Sequence, residues 1–168
     1  MMPFFKKYQS QFQVPAKLSD ILSKLTDDSD YAAVFIPSGH DALIGLPESE
    51  DVAEVLRWFM HNDRFVISIC HGPAAFLALR SGENPLNGYS LCAFPDAADK
   101  QTPDIGYMLG HLTWYFGEKL TGMGMTLVNT EIKGSVHQDR KLLTGDSPFA
   151  ANALGKLAAE QLLKAYVD

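Results

Sequence analysis

Phe65-Val66-Ile67-Ser68-Ile69-Cys70-His71-Gly72-Pro73-Ala74-Ala75 is the stretch on which the reading of this chain turns. Residues 65–69 are short and apolar enough for a buried parallel strand. Pro73 suits the first turn of a helix that the pattern continues through residues 74–80. Cys70 therefore stands where a strand ends and a helix begins, the edge at which open α/β sheets bind ligands. A sharp turn there pushes its side chain into a cleft. The first helical N–H groups are expected to favour the thiolate and lower the thiol pKa. Many free cysteines are inert core residues, but the turn context and the adjacent His71-Gly72 make Cys70 a candidate nucleophile. Cys92 lacks that context and reads as core.

Outward from this segment, strands and helices alternate. Residues 15–25 place Leu18, Ile21, Leu22 and Leu25 on one helical face. Tyr31-Ala32-Ala33-Val34-Phe35-Ile36 reads as a buried strand ending at Pro37-Ser38-Gly39-His40. An acidic helix start at residues 47–51 leads into a face made by Val52, Val55, Leu56 and Phe59. Residues 89–94, 125–128 and 141–144 are further strand candidates, and residues 112–120 a helix. Ser147 is expected to cap a final helix from Pro148 to about Tyr166, with Leu154, Leu157, Ala158, Leu162 and Tyr166 inward. Such alternation predicts an α/β fold with a mostly parallel sheet covered on both faces.

The chain has 168 residues, which suggests a single domain over residues 1–168. A chain of that length can bury roughly 70% of its unfolded surface. Charged residues make up 20% and the net charge is −6, which argues against a nucleic-acid footprint. The two cysteines form no CxxC pair, so zinc-knuckle and thioredoxin-like chemistry are not supported. No stretch approaches the length of a membrane helix. The N-terminus lacks the apolar core of a signal peptide, so a cytoplasmic location is expected.

The motif Cys70-His71-Gly72-Pro73 after an apolar strand resembles the nucleophile motif of the ThiJ/PfpI superfamily. The strings Leu86-Asn87-Gly88-Tyr89, Ala93-Phe94-Pro95-Asp96-Ala97-Ala98-Asp99-Lys100-Gln101-Thr102-Pro103 and Leu143-Thr144-Gly145-Asp146-Ser147-Pro148 are similar to its HchA branch. The likeness runs from about residue 4 onward. It implies a flavodoxin-like three-layer sandwich, here incomplete on the N-terminal side. It also implies a cofactor-free glyoxalase III and protein deglycase that converts methylglyoxal, or glycated Cys, Lys and Arg adducts, with release of lactate. A holding chaperone for unfolded clients and a truncated, inactive family member are the alternatives.

The resemblance assigns Cys70 as nucleophile, His71 as its histidine and Asp99 as the acid that orients His71. An acid–histidine pair fixes one tautomer and favours the imidazolium during turnover. The resemblance also places Gly39 opposite the cysteine, where its amide and that of His71 could form an oxyanion hole. His40 and His111 fall near the cleft and receive no role. The relatives are longer and carry a glutamate at the nucleophile for which this sequence has no candidate. Their two-histidine, one-glutamate metal site would put a ligand near Tyr8, so no such site is expected here. Ser38 and Asp41 stand where the branch suggests glycines, and Leu109 where it suggests proline, each a potential perturbation of the cleft. The exposed sheet edge left by an incomplete fold predicts a homodimer.

Overall fold

The computed structural model describes residues 2–167. In chain order its elements are α1 (Met2–Gln13), α2 (Leu18–Leu22), β1 (Ala33–Ser38), α3 (Glu50–His61), β2 (Phe65–Cys70), β3 (Ser90–Leu91), α4 (Asp96–Asp99), α5 (Phe116–Gly122), β4 (Thr126–Leu127), β5 (Val136–Asp139), β6 (Leu142–Gly145) and α6 (Ala151–Tyr166). Short 3-10 segments lie between them, the longest being Gly72–Arg80.

The main sheet has the order β1-β2-β6-β5. β1, β2 and β6 are parallel, and β5 closes one edge antiparallel to β6. Every residue of β2 and β6 is buried, as expected for strands covered on both faces. The register pairs Ser38 with Cys70 and Ile69 with Gly145. Parallel pairing therefore brings the carboxyl ends of β1, β2 and β6 to one rim, where the candidate nucleophile sits.

Two apolar layers sandwich the sheet. On one face α3 lays Val52, Val55, Leu56 and Phe59 against the buried residues 72–79. Ser49 starts α3, its hydroxyl accepting the Val52 amide at 3.3 Å. On the other face α6 packs Leu154 and Ala158 on Phe65, Ile67, Ile69 and Leu143. Each large side chain fully buried this way contributes about 1.5–3 kcal/mol. The α/β architecture with a mostly parallel sheet is the one the alternating pattern predicts. No helix among the described residues is long and apolar enough to cross a membrane.

Several local expectations differ. The strand expected at residues 89–94 shrinks to β3 and leaves the main sheet to pair with β4. Side chains replace its ladder: Thr144 Oγ1 accepts the Cys92 amide at 3.0 Å, and Asn129 accepts the Ala93 amide at 3.0 Å. Strand β5, with its Val-His-Gln-Asp composition, carries no apolar alternation and was not expected. The helix expected at 112–120 begins only at Phe116, where the Asp96 carboxylate accepts the Gly117 and Glu118 amides from a distant part of the chain. The helix expected at residues 15–25 contracts to α2, and α1 was not foreseen. Ser147 does not cap α6: its hydroxyl donates to Asp146 Oδ1 at 2.6 Å, and a 3-10 turn leads into the helix. The expected inward stripe of α6 is left open at Tyr166, which is exposed.

Candidate active site

Cys70 closes β2 with φ at +62°, in the left-handed region that non-glycine residues rarely occupy. The turn that holds it there is enforced by Gly72. A Cβ on Gly72 would meet Ser68 Oγ at 2.5 Å and overlap the Ile36 carbonyl oxygen. Glycine lets the chain fold flat against β1 and swing the Cys70 side chain to the rim. The Phe94 amide, donating to the Cys70 carbonyl at 2.9 Å, ties down the far side of the turn.

The structure brings Cys70, His71 and Asp99 together. Cys70 Sγ lies 3.3 Å from His71 Nδ1. His71 Nε2 lies 3.0 Å from Asp99 Oδ2 and 3.1 Å from Oδ1. A carboxylate only accepts, so His71 carries its proton on Nε2 and presents the Nδ1 lone pair to the sulfur. The imidazole is clamped in place, stacked on Phe94 at 4.5 Å and tilted against Phe116 at 5.5 Å. Asp99 occupies the end of α4 and is fully buried, held there because Asp96 pins that turn to α5.

The electrostatics differ from the expected pre-formed thiolate. Burial pushes the Cys70 thiol up to about 11. The His71 amide opposes this, and the Asp99 and Asp146 charges add to it. The segment after Cys70 is 3-10 rather than α-helical, and it starts inside the apolar core. Its field does not overcome desolvation, so the sulfur rests as a thiol and needs a base to become nucleophilic.

The expected oxyanion donors also have other partners. The Gly39 amide donates to Asp41 Oδ1 at 3.0 Å, and the His71 amide donates to the Ser38 carbonyl at 3.3 Å. Asp41 is one of the positions where the sequence departs from the family pattern, and its carboxylate makes this turn with the backbone two residues back.

His40 is the residue that sequence reasoning left without a role. Its Nε2 lies 2.9 Å from Asp99 Oδ1, and its ring sits 4.0 Å from that of His71. Its place next to Gly39, on the loop facing the cysteine, was the available signal. The ligand atoms of His40, His71 and Asp99 fall within 4.8 Å of one another. They already satisfy each other as donors and acceptor, which is the arrangement of a hydrogen-bonded network. His111 is exposed and takes no part in these contacts, while His137, in β5, places Nε2 2.8 Å from Ser90 Oγ. Cys92 is buried against Thr144 and Ser135, its thiol donating to their carbonyls at 3.2 and 3.4 Å.

The site opens into a cavity of about 1200 Å³. Phe35, Ile67 and Ile69 line it from the sheet, and α6 lines it through Leu154 and Ala158. Cys70, His71 and His40 bring the polar chemistry to an otherwise apolar chamber.

The DJ-1/PfpI family model matches residues 7–161. The protein/nucleic acid deglycase HchA of Shigella sonnei (strain Ss046) is 70% identical over 168 residues, which is 100% of this chain and 59% of that protein. The HchA of Escherichia coli (strain K12 / DH10B) is 70% identical over 166 residues, again with 59% of its length covered. The chain thus spans less than two thirds of these relatives. Among solved structures, glyoxalase III of Candida albicans superposes with a TM-score of 0.64 at 25% identity, covering 82% of this chain and 60% of that one. The Rapid Encystment Protein of Francisella tularensis superposes with a TM-score of 0.67 at 20% identity, covering 84% of this chain and 62% of that one, a likeness of fold.

Proposed function

The chain belongs to the DJ-1/PfpI family, and from that membership we propose that it is a cysteine-dependent glyoxalase III and protein deglycase. Its substrates are methylglyoxal or the glycated Cys, Lys and Arg adducts that methylglyoxal forms, and its product is lactate. The observation that carries this reading is the contact between Cys70 Sγ and His71 Nδ1 at 3.3 Å, backed by Asp99 and opening on the cavity. The sequence likeness to deglycases supports it.

Chemistry at this site runs as follows. His71 Nδ1 takes the Cys70 proton as the sulfur attacks the aldehyde carbon of methylglyoxal. The hemithioacetal oxygen takes that proton back from His71. His71, neutral again, then takes the hydrogen on the former aldehyde carbon as a proton and delivers it to the neighbouring ketone oxygen, giving an enediol. The former ketone carbon then gains a proton while the hydroxyl on the former aldehyde carbon loses one, giving the lactoyl thioester. One carbon is oxidised and its neighbour reduced, so no external redox partner enters. Water then cleaves the thioester, releasing lactate and restoring the thiol. Asp99 holds His71 in the tautomer that these proton transfers need. Cys70, His71 and Asp99 are the proposed catalytic residues.

The direct test is lactate formation from methylglyoxal by the 168-residue chain and its Cys70→Ser variant. The native chain is expected to release lactate and the variant none. Equal turnover by both would remove the sulfur from the mechanism.

A second reading, holding of unfolded clients, has one observation in its favour. Phe35, Ile105, Tyr107 and Phe149 are all exposed around the cavity rim. A Cys70→Ala variant that suppresses client aggregation as well as the native chain would separate that activity from catalysis.

A further inference from the structure

Asp99 is a single buried carboxylate facing two imidazoles. Oδ1 takes His40 Nε2 at 2.9 Å, and both oxygens take His71 Nε2 at 3.0–3.1 Å. The two rings lie 4.0 Å apart. His71 is almost wholly buried, whereas the His40 side chain is 19% exposed and lines the cavity. Asp99 therefore supplies one negative charge to two groups that can each become cationic. Two imidazolium rings at that separation repel strongly in a partly desolvated site, and one carboxylate compensates only one of them.

From this we infer that His40 is a positioning residue that gates Cys70: a proton on His40 takes up the charge of Asp99 and denies His71 the support it needs to accept the Cys70 proton. Ionisation of Cys70 moves its proton to His71 Nδ1 and creates an imidazolium. That imidazolium persists when Asp99 is free to face it, with His40 neutral. When bulk solvent protonates His40 through the cavity, Asp99 pairs outward and the sulfur stays a thiol. The gate is independent of the substrate and holds for any chemistry at Cys70.

The other charged groups around His40 do not compete for this role. Asp41, its chain neighbour, is spent on the Gly39 amide and the Ser38 hydroxyl. Glu48, on the next 3-10 segment, receives the Gly45 amide and pairs with Arg80. Asp146, across the rim, is held by Ser147 and by the Lys133 and Ser135 amides. Tyr107 packs its ring 5.7 Å from His40 and Phe94 its ring 6.2 Å away.

The test is the rate of Cys70 alkylation by iodoacetamide from pH 5 to 9, which needs no turnover. His40→Gln keeps a neutral donor for Asp99 but cannot be protonated. Its rate is expected to match the native rate above the range in which imidazoles titrate. Below that range it should exceed the native rate, the ratio growing by up to about tenfold per pH unit. His71→Gln is expected to be slow throughout, the behaviour of an unassisted buried thiol. Superimposable profiles for the native chain and His40→Gln, or a uniform loss in the variant, would overturn the gate. The native chain gives a second reading by proton NMR. The gate predicts that the His40 and His71 ring signals each report both titration steps, and two independent single-step curves would refute it. Failure of lactate formation with the alkylation gate intact would count against the glyoxalase reading alone.

Discussion

The Gly39 amide points at Oδ1 of Asp41, 3.0 Å away, and not at the sulfur of Cys70. The same oxygen accepts the Ser38 hydroxyl at 3.1 Å, so one side chain locks the whole turn. In the proposed chemistry this withholds a donor from the developing oxyanion.

Asp41→Ala is therefore expected to raise activity. Releasing the Gly39 amide offers the hemithioacetal oxygen a donor, and one such donor is worth about 10²–10³ in rate when well placed. Some of that gain is lost because the freed turn becomes more mobile, so a rise of about tenfold in kcat is the expected scale. Asp41→Asn retains the carbonyl oxygen and should behave like the native chain. Lactate assays on the three proteins check this. A lower kcat in Asp41→Ala would mean that the turn matters more than the donor.

Legibility in the sequence followed how local each signal was. The turn at Cys70 was readable because an apolar strand, a glycine that must lie flat and a proline at the next position all occur in consecutive residues. The α3 face and the burial of β2 were readable for the same reason. The site behaved differently. The roles of His71 and Asp99 came from family resemblance, because 28 positions separate them and no local pattern links them. His40 was passed over because its partner, Asp99, lies 59 residues away. The expected low thiol pKa missed because it weighed helix-start amides without the desolvation that the completed core imposes. Strand β5 carries no apolar alternation, and beyond the shortened β3 the ladder gives way to side-chain hydrogen bonds from Asn129 and Thr144, which no periodicity reveals.

The positive φ of Cys70 predicts an inverted stability order. In ordinary strand positions alanine is more stable than glycine. At φ +62° the Cβ itself is strained, by about 1–2 kcal/mol. Cys70→Gly should therefore be more stable than Cys70→Ala by about 1 kcal/mol, read from urea midpoints. Both variants should lack lactate formation. Alanine proving the more stable would mean that the turn relaxes once the sulfur is gone.

Strand β1 predicts self-association. Among the described residues it pairs only with β2, leaving the other side of its ladder without a strand. Its Phe35 side chain is 56% exposed toward the cavity. An open ladder beside an apolar lining favours a second copy of the chain. Light scattering coupled to gel filtration is expected to give a dimer. Phe35→Lys places a charge on that surface and should shift the equilibrium to monomer. A native chain that stays monomeric on concentration would remove this prediction.

Alkaline pH should destabilise the fold through its two sulfurs. Burial pushes Cys70 and Cys92 each up to about 11 from an ordinary 9.0. The folded chain thus holds both thiol protons after the unfolded chain has begun to lose its own. Proton binding by the folded state exceeds that of the unfolded state only between those values, so the thiols' contribution is complete below about pH 8.5–9 and declines as pH rises toward 11. Cys92 isolates the effect, because it sits in the core against Thr144 and takes no part in the proposed chemistry. Cys92→Ala loses packing equally at every pH, which lowers the whole curve, and it also removes one of the two proton differences, which flattens the curve's alkaline limb. The difference between native and variant urea midpoints should therefore narrow from pH 8 to pH 11. Tyrosine and lysine titrations are common to both proteins and cancel in that difference. A constant offset across the range would show that Cys92 ionises no later in the fold than in the open chain.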